Sequence, residues 1–186
     1  PDFTEEALQL LYKKSDRRVI KFDKTLLPDI LGGLQINSCL DGYLTQTPDI
    51  WEDIPEMWEY PTILRPTPAQ RRQLIFAWQV VKMLKSNAIC FCKNKQTLGL
   101  GIGQTSRIDS LNIAIERAVR MGHNLKGSFC ASDGFFPFRD SIDRLHEIGV
   151  KCIIQPGGSK ADPEVIAACN EYNIAMIHTG RRHFRH

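Results

Sequence analysis

The sequence predicts an α/β protein, specifically a three-layer α/β/α sandwich, on the strength of three observations. From Asn87 onward, short apolar runs of strand length alternate with amphipathic stretches of helix length. Gly, Pro, Asn and Ser punctuate the boundaries between them. The 186 residues, 42% hydrophobic and 24% charged, suffice to bury one core and place the chain among ordinary globular proteins.

The elements follow in order. Glu5 to Lys14 reads as a short amphipathic helix and Arg18 to Phe22 as a short strand. Residues 24–66 fit neither period, because they hold Pro28, Pro48, Pro55, Pro61, Pro66, Gly32-Gly33 and the acidic-aromatic run Trp51 to Glu59. They read as an extended lead-in wrapped over the domain surface, so the expected division is a lead-in, 1–66, and a domain, 67–186.

Thr67-Pro68 is an N-cap followed by proline at the first helical position, opening a helix to about Lys85. Leu74, Ile75, Phe76, Trp78, Val80, Val81, Met83 and Leu84 make it apolar around most of its circumference, as expected of a central buried helix. Ala88–Cys92 and Thr97–Ile102 are strands of a β-hairpin turning over residues 93–96. Gly99, Gly101 and Gly103 lie on its second strand without the Gly-x-Gly-x-x-Gly spacing of a dinucleotide loop, and read as strand packing. Ser106 and Asp109 begin a helix whose face carries Ile108, Leu111, Ile115 and Ala118 and which ends near Gly122. A strand at 127–131, a helix through Leu145, a strand at 150–154, a helix from Asp162-Pro163 to about Tyr172 and a strand at 174–177 complete the pattern.

The unusual motifs all fall in loops after strands, where ligands bind in open α/β sheets. Ser132 to Asp140 sets three phenylalanines around a proline with carboxylates near both ends. Gly134 and Pro137 interrupt both periodicities, so the segment reads as a loop entering a helix. It suits either packing on a planar ring with a carboxylate at an amino-pyrimidinone edge, or a hydrophobic plug fixing a strand-to-helix corner. Arg107 at a helix start suits an anion or a salt bridge. Gly157-Gly158-Ser159 either presents backbone N–H groups to a ligand or makes a tight turn. The basic ending Arg181 to His186 contains Phe184, whose packing would carry the arginines into a fixed site.

Several classes are disfavoured. The formal charge of +3 does not argue for nucleic acid, and no apolar run approaches the ~20 residues that cross a bilayer. The start lacks the basic and apolar regions of a secretory signal, and opening at Pro1 suggests a trimmed or partial polypeptide. Cys90, Cys130, Cys152 and Cys169 sit in apolar runs as small buried hydrophobes. No Cys-x-x-Cys occurs, so a metal-free, reduced, cytoplasmic protein is expected.

Five ordered segments carry a resemblance. They are Lys85 to Ile89, Gly101 to Ile108, Ser132 to Asp140, Gln155 to Ser159 and His178 to His186. Together they closely resemble the C-terminal part of the AICAR transformylase family, usually fused to IMP cyclohydrolase. The resemblance covers most of residues 67–186 and, more loosely, Pro1 to Lys14. It implies a zinc-free, cytidine-deaminase-like half of a homodimeric enzyme with sites at its interface. The implied reaction transfers a formyl group from 10-formyltetrahydrofolate, a co-substrate, to AICAR, giving FAICAR. It implies that Asn87, Arg107, Phe135 and Arg182 contact the ribotide, with Asn87 also supporting the formyl oxygen as charge develops. Ile108, Asp140, Ser159 and Lys160 would line the folate site, with Phe135, Phe136 and Phe138 as one wall. One departure is large: the family's proton-transfer pair is an adjacent Lys-His, and no Lys-His occurs here. The chain therefore reads as the second half of such an enzyme, pairing with itself or with the missing half. The alternative is a non-catalytic ribotide- or folate-binding or assembly module of a split enzyme.

Overall fold

Alternation with a period of two divides the strands of the central sheet between two cores, as seen in the computed structural model, which describes residues 2–26, 32–50 and 53–185. Two compact units emerge, Pro1–Glu52 and Asp53–His186.

In the first unit, helix α1 (Glu5–Leu11) is capped by Thr4, whose hydroxyl accepts from the Ala7 N–H. It ends three residues earlier than expected. The expected strand at Arg18–Phe22 does not form, because no described segment pairs with it and an unpaired strand leaves its backbone groups without partners. A hairpin that the sequence reading left unassigned lies further on, β1 (Gln35–Cys39) with β2 (Gly42–Gln46), closed by Leu40-Asp41. Leu40 takes a left-handed φ of 49° in that turn. Pro28, Trp51 and Glu52, named in the sequence reading of this region, lie outside the described residues.

The second unit begins at Asp53 rather than at residue 67. A single 3₁₀ turn, Pro55–Met57, leads to Trp58, which is buried. Glu59 then exchanges two backbone hydrogen bonds of 2.9 Å with His178, covering the open edge of the sheet. Residues 53–66 therefore belong with the domain, not with the lead-in.

Helix α2 (Pro68–Lys82) starts with the anticipated cap: Thr67 accepts from the Gln70 N–H at 3.3 Å, and Gln70 accepts from the Thr67 N–H at 2.8 Å. Strands β3 (Ile89–Lys93) and β4 (Gln96–Gly101) form the expected hairpin. Its turn, Asn94-Lys95, has φ of 54° and 55°, the left-handed pair that matches strand twist. Then follow α3 (Arg107–Arg120), β5 (Phe129–Ser132), α4 (Asp140–Glu147), β6 (Cys152–Gln155), α5 (Asp162–Glu171) and β7 (Ala175–His178).

The sheet order is β4-β3-β5-β6-β7, with β3 antiparallel to both neighbours and β5, β6 and β7 parallel. On one face Ile89, Phe91, Cys130, Ile153 and Met176 pack against α3, α4 and α5. On the other, Cys90, Cys92, Ala131, Ile154 and Ile177 pack beneath α2, which supplies Leu74, Trp78 and Val81. This is the three-layer α/β/α sandwich. Gly99 and Gly101 bring β4 against α3, where an added Cβ would run into the Ala114 and Ser110 carbonyls. All six cysteines are free thiols, and five are buried. Burial pushes the Cys92, Cys152 and Cys169 thiols up to about 12, so they stay neutral. Among the described residues no helix is long and apolar enough to cross a membrane.

Candidate functional site

Because β3 is antiparallel to both β4 and β5, strands β4, β5, β6 and β7 all end at one edge of the sheet, and β3 begins there. The loops at 102–106, 133–139, 156–161 and 179–185 therefore meet the Ser86-Asn87 segment at a common edge. That shared position follows from topology, as expected for the loops after parallel strands.

At this edge the side chains join in one polar network. Asp133 immediately follows β5 and is completely buried. Its Oδ1 accepts from Arg107 Nη1 at 2.5 Å and from the Ala88 N–H at 3.0 Å. Its Oδ2 accepts from the Ser86 hydroxyl at 2.6 Å. Arg107, the first residue of α3, turns inward, its side chain only 7% exposed. Besides Asp133, its guanidinium donates to Ser132 Oγ at 2.7 Å and to Asn87 Oδ1 at 2.8 Å. Asn87 is held further by its own Nδ2, which donates to the Gln104 carbonyl at 3.0 Å. The Asn87 carbonyl accepts from Ser110 Oγ at 3.0 Å. The salt bridge anticipated for Arg107 thus exists, but it is buried and not on the surface. Removing one partner of such a pair costs roughly 3–5 kcal/mol, so the network is rigid.

The tail crosses this edge in a fixed course. Backbone bonds run from Thr179 N–H to Gln155 at 2.9 Å, from Gly180 N–H to Pro156 at 2.9 Å and from His183 N–H to Asp133 at 3.0 Å. Beyond them the Arg185 N–H donates to Ser86 Oγ at 3.0 Å. His183 is buried against Trp78, ring centroids 4.6 Å apart, with Nε2 3.5 Å from an Asp53 oxygen. Burial alone would raise the Asp53 pKa, but the nearby N–H groups of His183 and Trp78 outweigh it and the net shift is downward. The basic ending is therefore a packed segment through Arg185, and His186 lies outside the described residues.

The Phe-rich loop divides its labour. Phe135 is half-buried, with the exposed Arg182 guanidinium 4.8 Å above its ring centroid; Phe184 lies 5.9 Å from the same cation. Phe136 is fully buried in the core, and its N–H donates to Gln155 Oε1 at 2.8 Å. Phe138 is 64% exposed. The expectation of three phenylalanines forming one wall is corrected here: Phe136 is the plug, because the tight turn after Asp133 points it back into the apolar layer.

The expected folate residues are more dispersed. Ile108 packs its side chain partly against the core, and Asp140 and Lys160 are exposed. Asp140 Oδ1 accepts from the Ser141 N–H at 2.6 Å and its hydroxyl at 3.2 Å. The N–H groups of Gly158 and Ser159 both donate to Asp162 Oδ2, at 2.7 and 3.1 Å, so this loop is a tight turn whose donors are already used. No hydrogen bond or ion pair among the described residues joins Asp140, Ser159 and Lys160. A separate open cavity of about 410 Å³, lined by Tyr60, Arg65, Pro66, Arg71, Arg72 and Ile75, includes none of the candidate residues.

The sequence reading missed Asp133, Ser86 and His183. A signal existed for the first: a carboxylate directly after an apolar strand, at the edge where a helix begins with arginine. Ser86 and His183 carried none, since they lie 47 and 50 positions along the chain from their common partner Asp133.

Comparison with known proteins places these observations in context. A family described as AICARFT/IMPCHase bienzyme matches residues 1–117. The bifunctional purine biosynthesis protein PurH of Aquifex aeolicus (strain VF5) is 47% identical over 186 residues, all of this chain and 35% of that protein. PurH of Polynucleobacter asymbioticus is 44% identical, again over all of this chain and 35% of its own length. The chain thus spans about a third of the curated relatives it matches, at 35%. Among solved structures, apo dCMP deaminase from cyanophage S-TIM5 is 12% identical with a TM-score of 0.44, over 60% of this chain and 98% of that one.

Proposed function

The chain belongs to the AICARFT/IMPCHase bienzyme family, and on that premise we propose that it forms the second half of an AICAR transformylase. The reaction would carry a formyl group from 10-formyltetrahydrofolate to the 5-amino group of AICAR in purine biosynthesis. The observation that carries the proposal is the single buried network joining Asn87, Arg107 and the tail beside Arg182 at one sheet edge.

The chemistry suits these groups. Arg182, exposed and stacked on Phe135, supplies net positive charge for a phosphate. Arg107 is already paired with Asp133, so it offers directed donors more than charge: three of its five N–H groups are engaged, leaving Nε and one Nη2 hydrogen. Asn87 keeps one Nδ2 hydrogen after bonding Gln104. That donor would meet the carboxamide or the formyl oxygen, where negative charge grows as the amine attacks. Ile108, Asp140, Ser159 and Lys160 would border the folate, with Asp140 Oδ2 accepting from the pyrimidinone edge and Phe138 beside it.

Proton transfer is the missing element. The attacking amine must lose a proton and the folate nitrogen must gain one, work ordinarily done by a positioned acid/base pair. In this chain His178 and His183 are both buried, and no Lys-His is present. The pair would come from a first half or a partner chain, which makes pairing or dimerisation part of the proposal. The same absence favours the second reading, a ribotide- or folate-binding or assembly module. Five buried, neutral thiols fit a reduced, cytoplasmic setting.

Titration calorimetry of this chain with AICAR, and separately with 10-formyltetrahydrofolate, checks the proposal. Saturable binding of both is expected. Binding of neither would overturn it.

A further inference from the structure

We infer that Asp133 is a positioning residue: its buried carboxylate sets the direction of Arg107 and, with its backbone, holds Asn87 and the tail in the one arrangement that receives the ligand. The identity of that ligand rests on the proposed function; the positioning itself does not.

Five hydrogen bonds converge on this residue. Oδ1 takes Arg107 Nη1 and the Ala88 N–H, and Oδ2 takes the Ser86 hydroxyl at 2.6 Å. The Asp133 N–H donates to the Ala88 carbonyl at 3.2 Å, and its carbonyl accepts from the His183 N–H at 3.0 Å. Ser86 and Ala88 flank Asn87 on either side, and His183 follows Arg182. One residue therefore touches the neighbours of two candidate ligand groups and the third group, Arg107, directly. None of these contacts is local in sequence, and they add to the direct bonds from Arg107 to Asn87 and from the Arg185 N–H to Ser86 that also join the three. At the start of α3 an arginine ordinarily extends into water. Here its side chain is only 7% exposed because a completely buried carboxylate stands behind it.

Asp133 does two things at once, and they predict opposite signs. It neutralises Arg107, so losing only charge would leave a naked cation and tighten the binding of a phosphate. It also aims Arg107, so losing the aim would weaken binding. The positioning role predicts the second. Asp133→Asn tells them apart by sign. The amide keeps the shape, still accepts from Ala88 through Oδ1 and offers Nδ2 to the Ser86 oxygen, while the bond from Arg107 to Oδ1 loses its ionic part and with it most of its hold on the guanidinium.

The test uses this chain with two readouts. AICAR affinity by calorimetry is expected to fall about tenfold in Asp133→Asn, with 10-formyltetrahydrofolate affinity within about twofold of wild type. The Arg107 side-chain N–H signals in ¹⁵N NMR, held distinct in wild type by bonds to three partners, are expected to average in the variant. Unchanged or tighter AICAR binding together with unaltered Arg107 signals would overturn the inference. If wild type binds no AICAR, the functional reading fails while the NMR readout alone still decides the positioning role. If Asp133→Asn does not fold, Ser86→Ala removes the hydroxyl from Oδ2 and is expected to weaken AICAR binding two- to fivefold; no change there counts against the inference.

Discussion

Gly134 shows how little slack the site has at single residues. A Cβ there would overlap the Arg107 guanidinium and lie 2.9 Å from Phe184 Cε1. Gly134→Ala is expected to push Arg107 away from Asn87 and to cost about 1–3 kcal/mol of stability through overpacking, measurable by denaturant unfolding. The same packing explains why Phe184 is where it is: it closes over Gly134 beside Arg182. Arg182→Ala removes an exposed cation that touches only rings among its recorded contacts, so stability should change little. AICAR affinity by calorimetry is expected to fall about tenfold, or roughly 1.4 kcal/mol, with folate affinity nearly intact. At this scale the sequence was readable where chemistry is rare. Three phenylalanines around Pro137 and an arginine at a helix start stood out. Asp133 was visible only as one end of the Phe-rich motif, because its partners come from three separate segments.

Among the elements, the ends of β6 and β7 carry the clearest pH dependence. Gln155 and His178 face each other across the two strands, Gln155 Nε2 lying 3.0 Å from His178 Nε2. Gln155 Oε1 is committed to the Phe136 N–H, so its Nε2 donates and the histidine accepts as a neutral ring. Burial lowers the His178 pKa below its ordinary 6.5, against the opposing pull of Asp162 and Glu59. With the folded value depressed, the unfolded chain binds this proton first. The contribution to stability is complete above about pH 6.5 and is lost as pH falls through that value towards the lowered folded one. Thermal midpoints at about pH 7.5 and about pH 5 are expected to differ less in His178→Gln than in wild type. An equal drop in both would show that His178 is not responsible. The helices and the β3–β4 hairpin were legible because caps, turn residues and apolar spacing are local. The β1–β2 hairpin was not: its strands are exposed and weakly patterned, and Asp41-Gly42 was the only turn signal.

For the molecule as a whole, the strongest expectation concerns turnover. The proposed binding groups lie on this chain and no Lys-His pair does, so the chain alone is expected to release no tetrahydrofolate from 10-formyltetrahydrofolate and AICAR. Spectroscopic assay checks this directly. Rates on the order of 1–10³ s⁻¹ from the isolated chain would show that the proton-transfer argument is wrong. Activity that appears only on adding a polypeptide with a Lys-His pair would support the enzyme over the binding module.

What the sequence determined by itself was the layered α/β order, the sheet edge at which the unusual loops gather and the likeness to one family. Each of these rests on periodicity, turn chemistry or short motifs, which are local properties of the chain. The tertiary structure alone decided that residues 53–66 seal the sheet edge at Glu59 and His178, that Phe136 is a plug while Phe135 carries Arg182, and that the Gly158 and Ser159 donors are spent on Asp162. It also decided that Arg107 is neutralised from behind by Asp133. Such outcomes depend on which distant groups arrive within hydrogen-bonding distance once the sheet has formed, and burial then makes each pairing strong enough to set the site.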